Sequence, residues 1–134
     1  MNIVIPQEHR VDVLAVGDNS FTEVVADTLA EIANVTAATS PSDAIVFAES
    51  LVFPPLFVII DGGRTGVVEL LSCGQYFAER HGSLAVAVIE DPESLRAIPD
   101  VKYDLYGGIP RAEMAEGLLE LMMRAYEEEE EEAA

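Results

Sequence analysis

The fold of this chain is decided by an apolar run that ends in an acid, Leu56-Phe57-Val58-Ile59-Ile60-Asp61-Gly62-Gly63. Because no polar residue interrupts its first five positions, the run predicts a strand that is covered on both faces. A second continuous run, Leu84–Ile89, has the same character and ends at Glu90-Asp91-Pro92. Two strands buried on both faces indicate a parallel sheet that lies between layers of helices.

Strand and helix patterns alternate on both sides of these two runs. The predicted strands are Val11–Val16, Asn34–Ala38, Leu56–Ile60, Leu84–Ile89 and a weak Tyr103–Tyr106, which Gly107-Gly108-Ile109-Pro110 ends. The predicted helices start at Ser20, Pro41, Val67 and Glu93, and a last one runs from about Arg111 to Tyr126. Five strands, each followed by a helix, predict an α/β sandwich with a parallel five-stranded sheet.

Two helix starts carry signals of their own. Ser20 is the predicted N-cap of the first helix, because Glu23 follows three residues later as in a capping box. Pro41 suits the first position of the second helix, since its missing N–H has no partner there in any case.

Acids and glycines follow the predicted strands at their carboxyl ends. Ligands bind at this edge in open parallel sheets. The candidate site therefore combines Gly17-Asp18-Asn19, Asp61-Gly62-Gly63, Glu90-Asp91 and Gly107-Gly108. For Asp18 and Asp61 two interpretations stay open at this point, a cap of the following turn or helix and a ligand of a cation.

The chain is strongly acidic, with 25 acidic and 7 basic residues among 134 and a formal charge of −18. Such a charge disfavours nucleic acid and anionic membrane surfaces as partners. The acids include the run Glu127–Glu132, which we expect to lie in a solvated, mobile tail. We therefore divide the chain into an N-terminal segment (1–9), one domain (10–126) and an acidic tail (127–134).

Cysteine and histidine give little reason to expect a metal centre or a catalytic triad. Cys73 is the single cysteine, and a place in the packed interior is the expected role for it. His9 and His81 are too far apart in sequence to suggest a cluster. The chain has neither a signal-peptide pattern nor an apolar stretch of membrane-spanning length, so a cytoplasmic location is expected.

Over residues 10 to 126 the sequence resembles the receiver domains of response regulators in two-component signalling. Val16-Gly17-Asp18-Asn19 is similar to the acidic motif after the family's first strand, with Gly17 in place of the first acid. Asp61 lies where the family has its phosphate-accepting aspartate. The resemblance implies a flavodoxin-like (βα)5 three-layer sandwich, a signalling role and a protein partner such as a histidine kinase or a downstream target.

The chain departs from the family pattern at several positions. Glu90 stands where the family has Thr or Ser, and Gly108-Ile109-Pro110 keeps a proline but lacks the preceding lysine. A magnesium ion, by resemblance, would be held by Asp18, Asp61 and the backbone carbonyl of Gly63, and its binding is expected to be weak because one acid is missing. A cation beside a phosphoryl group contributes about 4 kcal/mol at intermediate dielectric, so losing the lysine weakens a phosphorylated state. Arg64 and Arg111 are the candidates to replace it.

The leading hypothesis is a divergent, stand-alone receiver-like module that is not an enzyme. It acts through protein–protein contacts, and aspartyl phosphorylation is weakened or lost. By resemblance its interaction face includes Tyr103, Leu105, Tyr106 and the exposed side of the helix from Arg111 to Tyr126, and a homodimer is an alternative partner. A second hypothesis is a single-domain regulator that still accepts phosphate on Asp61. A third is a small α/β hydrolase or nucleotide-binding protein, for which the chain has neither a Gly-x-Ser-x-Gly elbow nor a Walker lysine.

Overall fold

The computed structural model of the chain describes residues 5–6, 9–50, 55–62, 67–89 and 107–133. The strands are β1 (Val11–Val16), β2 (Ala33–Ala38), β3 (Phe57–Asp61), β4 (Leu84–Ile89) and β5 (Gly107–Pro110). The helices are α1 (Asn19–Leu29), α2 (Pro41–Glu49), α3 (Val67–His81) and α4 (Met114–Ala133), and a short 3₁₀ helix, Arg111–Glu113, precedes α4.

The described strands form one parallel sheet in the order β2-β1-β3-β4-β5. The predicted α/β class with a parallel sheet is therefore confirmed. The chain passes from β1 to β2 on one side of β1, and then from β2 to β3 on the other side of β1. The boundary between β1 and β3 is thus the point where the strand order reverses.

Alternate residues of β1, β3 and β4 enter two separate cores because the side chains of a strand point to opposite faces. On one face Val13, Ile59 and Val86 pack in a cluster with Val25 and Leu29 of α1 and with Leu118 and Met122 of α4. On the other face Leu14, Val58 and Ile60 pack in a cluster with Ala44 and Ala48 of α2 and with Cys73 and Phe77 of α3. Both faces of β1 and β3 are covered, which explains why β3 is continuously apolar.

Cys73 lies in the second of these cores, as the sequence predicts. It is 1% exposed, and burial raises the pKa of its thiol to about 11. A thiol with a raised pKa carries little thiolate, which makes it a poor nucleophile.

The last strand differs from the prediction at the carboxyl-terminal end of the domain. Gly107-Gly108-Ile109-Pro110 forms β5 itself instead of ending a strand, because its backbone pairs with β4 from Val86 to Ile89. Pro110 is compatible with this place because β5 lies at the edge of the described sheet. The predicted strand Tyr103–Tyr106 and the short helix starting at Glu93 lie outside the described residues.

The last helix is longer than predicted. α4 does not end at Tyr126 but continues through the glutamate run to Ala133, so the backbone of the predicted tail is helical as far as that residue. The Tyr126 hydroxyl bonds to the Ile32 carbonyl and accepts a hydrogen bond from the Val11 backbone N–H, at 3.1 Å. This contact ties α4 to the start of β1, and glutamate has a helix propensity high enough to continue the helix beyond it.

Candidate functional site

The candidate site lies at the carboxyl ends of β1 and β3, where the strand order reverses. Gly17 follows β1 directly and its N–H donates to the Ala38 carbonyl at the end of β2, at 2.9 Å. Asp61 is the last residue of β3 and is 1% exposed. An ideal Cβ built on Gly17 would lie 3.1 Å from the Asp61 Cβ, so the two positions are direct neighbours.

Arg111 neutralises the buried carboxylate of Asp61. Its Nη2 donates to Asp61 Oδ1 at 2.5 Å, across 50 positions of sequence. The Asp61 side chain is 2% exposed, whereas the Arg111 side chain is 34% exposed. The carboxylate is therefore removed from water, and the guanidinium closes the site from the solvent side.

This ion pair bears on an alternative that the sequence left open. The lysine of the family pattern is missing, and Arg111, one of the two candidates to replace it, lies beside Asp61, two residues further along the chain than the lysine would be. Arg111 begins the 3₁₀ helix directly after β5, so the carboxyl end of β5 presents it to the end of β3. Arg64, the other candidate for this role, lies outside the described residues.

Phe21 also lies beside Arg111 in the described part of the site. The Cζ of Arg111 lies 5.9 Å from the centroid of the Phe21 ring, which is within the range of a cation–π contact. A Cβ on Gly17 would lie only 2.6 Å from Phe21 Cδ1. The ring thus occupies the space in which any side chain at position 17 would have to begin.

Asp18 caps α1. Its Oδ1 accepts a hydrogen bond from the Phe21 N–H at 2.9 Å, and its carbonyl accepts one from the Thr22 N–H at 3.0 Å. The predicted N-cap, Ser20, is wrong, because the helix already starts at Asn19 and Ser20 lies inside its first turn. Of the two interpretations of Asp18 that the sequence left open, the structure shows the capping contact.

Ile109 of β5 takes part in a close contact with α4. It is 8% exposed, and a Cβ on Gly117 would lie 2.7 Å from its Cγ2. The glycine in α4 therefore allows the helix to approach β5 closely. Gly108 contributes backbone to β5, paired with Ala87.

The other predicted site residues lie outside the described part of the chain. These are Gly63, Glu90, Tyr103, Leu105 and Tyr106. In the part that is described, no group of three His, Cys, Asp or Glu side chains is arranged to hold a metal ion. Asp18 uses one carboxylate oxygen as a helix cap, and Asp61 uses one for Arg111. Magnesium binding by Asp18, Asp61 and the Gly63 carbonyl stays a prediction.

Arg111 is one of the two candidates that the sequence offers to replace the lysine, and it lies beside Asp61. Phe21 is a residue of the site that the sequence analysis did not predict. The sequence indicates Arg111 because it directly follows Pro110, at the edge of the sheet where the strands end and the acidic residues lie. Phe21 had no comparable signal, since its ring is both a core side chain and a wall of the site.

The fold is similar to those of several solved structures. The BeF3-activated DrrB receiver domain is 15% identical to this chain, with a TM-score of 0.65 over 88% of this chain and 98% of that one. The Vibrio cholerae chemotaxis protein CheY4 is 20% identical, with a TM-score of 0.63 over 86% and 98%. The signal receiver domain of an HD domain-containing protein from Pseudomonas fluorescens Pf-5 is 16% identical, with a TM-score of 0.68 over 99% and 98%.

These likenesses confirm the receiver-domain fold that the sequence suggested. No model of a protein family and no curated protein sequence matches the chain. Within the described residues, no helix combines the length and the apolar character needed to cross a membrane.

Proposed function

We propose that this protein is a receiver-like signalling module that acts through protein–protein contacts, with aspartyl phosphorylation weakened or lost. The observation that carries the proposal is the 2.5 Å ion pair between Arg111 and the buried Asp61. The proposed architecture is the complete (βα)5 sandwich of receiver domains, in a cytoplasmic protein.

The ion pair opposes phosphorylation because the carboxylate must act as the nucleophile. To attack a phosphoryl donor, Asp61 has to be reached from solvent, whereas its side chain is 2% exposed and its carboxylate is paired with the Arg111 guanidinium in a charge-assisted hydrogen bond. Phosphoryl transfer also depends on a metal ion that offsets the charge of the two reacting groups. Access to Asp61 from the Arg111 side would require Arg111 to move and the ion pair to break.

One observation favours the alternative, a regulator that still accepts phosphate on Asp61. The cation beside the carboxylate could bind the oxygens of a phosphoryl group once transfer has occurred, since guanidinium groups suit phosphate geometry. In that case Arg111 would take over the task of the lysine that the family has at position 109. The two functions make opposite predictions for the same experiment.

The experiment is incubation of the full chain with acetyl phosphate and magnesium, followed by intact-mass measurement. The variants are Asp61→Asn and, as a matched control, Asp12→Asn, which changes an exposed acid of β1. We expect no stable phosphoryl adduct in any of the three proteins. An adduct that forms on the wild type and Asp12→Asn, but not on Asp61→Asn, overturns the proposal and establishes the alternative.

The proposed partners are proteins, either a histidine kinase or a downstream target, with a homodimer as a further arrangement. The proposed contact face includes Tyr103, Leu105 and Tyr106 together with the outer side of α4. On that side Glu116, Leu119 and Glu120 are exposed, as an interaction surface requires. Arg111 contributes less than predicted because its guanidinium is engaged with Asp61.

A further inference from the structure

We propose that Phe21 is a positioning residue for the ion pair between Arg111 and Asp61, and that position 17 is a glycine because the Phe21 ring fills the space beside it. This proposal deepens the proposed function. Its consequence, a closed site at Asp61, rests on that function. The positioning itself follows from contacts that do not depend on that function.

The backbone of Phe21 is held in place at the start of α1. Its N–H donates to the carboxylate of Asp18 at 2.9 Å, which sets where the first turn of the helix begins. The side chain is 3% exposed and belongs to the core that α1 and α4 share with the sheet. The ring is therefore a fixed surface.

Arg111 depends on such a surface because its own side chain is long and reaches solvent. The Arg111 side chain is 34% exposed, and a long, partly exposed side chain loses rotamer freedom when it is held in one geometry. In this site one nitrogen bonds to Asp61 while Cζ lies 5.9 Å from the centroid of the Phe21 ring. Asp61 of β3 and Phe21 of α1 thus both restrain the planar guanidinium of Arg111. A planar cation is also the kind of group that stacks favourably on an aromatic ring.

Gly17 is the complementary part of this arrangement. The ideal Cβ at position 17 falls 2.6 Å from Phe21 Cδ1 and 3.1 Å from Asp61 Cβ, so the ring and the acid border the same small space. Any larger residue at position 17 must displace the ring. We infer that positions 17 and 21 are coupled, and that together they determine what can stand beside Asp61.

The test is the solvent exchange of the Arg111 Nε–H, measured by NMR on the full-length wild type and on Phe21→Leu. Leucine keeps an apolar side chain in the core but offers no aromatic face. We expect exchange to become about two- to fivefold faster, which corresponds to the worth of one cation–π contact at a partly exposed site. The Arg124 Nε–H is the internal reference, because Arg124 pairs with Glu120 on an exposed helix face.

Val25→Ala is the control for a merely structural effect. Val25 is fully buried one turn further along α1, so its truncation removes core packing from the same helix. We expect it to lower stability while the Arg111 exchange rate stays at the wild-type value. Equal acceleration by Val25→Ala and Phe21→Leu would overturn the positioning role.

A second measurement needs no variant. In the wild type, the aromatic ring should shift the side-chain proton resonances of Arg111 upfield of those of Arg124, and the absence of that shift would also overturn the positioning role. Acetyl phosphate labelling is scored separately. An adduct on Asp61 refutes the proposed function but leaves the NMR result standing, whereas unchanged exchange in Phe21→Leu refutes the inference alone.

Discussion

Gly17→Ala gives the most direct test of how the site is packed. The backbone is not the reason for the glycine, since Gly82 is the only described glycine with a positive φ. The reason is the contact, because the new methyl group would lie 2.6 Å from Phe21 Cδ1 and something must shift. The ring belongs to a buried core and is not the free end of a flexible side chain.

The size of the effect follows from two opposing terms. Overpacking a well-filled core costs about 1–3 kcal/mol. Replacing glycine by alanine lowers the conformational entropy of the unfolded chain, which stabilises the protein by about 0.4–1 kcal/mol where the backbone permits alanine. We expect Gly17→Ala to lower the free energy of unfolding by about 1–2 kcal/mol, because the overpacking term is the larger of the two.

The assay is urea unfolding followed by circular dichroism, run as a double-mutant cycle with Phe21→Ala. Once the ring is removed, the added methyl group has room, so Gly17→Ala should cost little in that background. Gly82→Ala is the control, because its penalty arises from a φ of 67° and should be the same in both backgrounds. A Gly17→Ala protein as stable as the wild type, or one equally destabilised in both backgrounds, would refute the reasoning.

Three further predictions concern the neighbouring elements. Asp18→Ala should cost about 1 kcal/mol of stability in thermal unfolding through the lost cap of α1, whereas Asp18→Asn should cost much less because asparagine also caps; equal losses would contradict the capping role. Gly117→Ala should destabilise the protein by about 1–2 kcal/mol despite a better helix propensity, because the new methyl group meets Ile109, and the loss should vanish in an Ile109→Ala background. Burial raises the pKa of the Cys73 thiol from 9.0 to about 11. Between these two values the thiol loses its proton more readily in the unfolded chain, so the free energy of unfolding should be unaffected below pH 9 and fall by up to about 3 kcal/mol as the pH rises towards 11. Urea unfolding measured across this pH range should show this fall in the wild type but not in Cys73→Ala.

The sequence by itself determined the α/β class and the places of β1, β3 and β4. Their apolar runs are long, uninterrupted and bounded by turn residues, so local pattern and tertiary burial agree. It also determined that Asp61 ends β3 at the edge where ligands bind, since a strand's direction in a parallel sheet places its carboxyl end. The start of α2 at Pro41 was equally local, and Ser40 caps it through a hydrogen bond from the Asp43 N–H.

Tertiary structure decided the elements for which the local sequence pattern was weak or was compatible with two alternatives. β5 is a strand because β4 pairs with it, and a Gly-Gly-Ile-Pro segment carries no strand pattern of its own. At the start of α1, Asp18 and Ser20 are both residue types that favour the N-cap position. The choice between them depends on where β1 ends, which its pairing with β2 and β3 sets.

The chemistry of the site was decided by the tertiary structure as well. A sequence shows that Arg111 and Asp61 exist, but 50 positions separate them, and only the packing of β5 beside β4 and β4 beside β3 brings a guanidinium onto that carboxylate. The same holds for Phe21 and Gly17, whose fit depends on a distance of a few ångströms. Periodicity reports which face of an element is buried, whereas contacts between elements depend on how those faces meet.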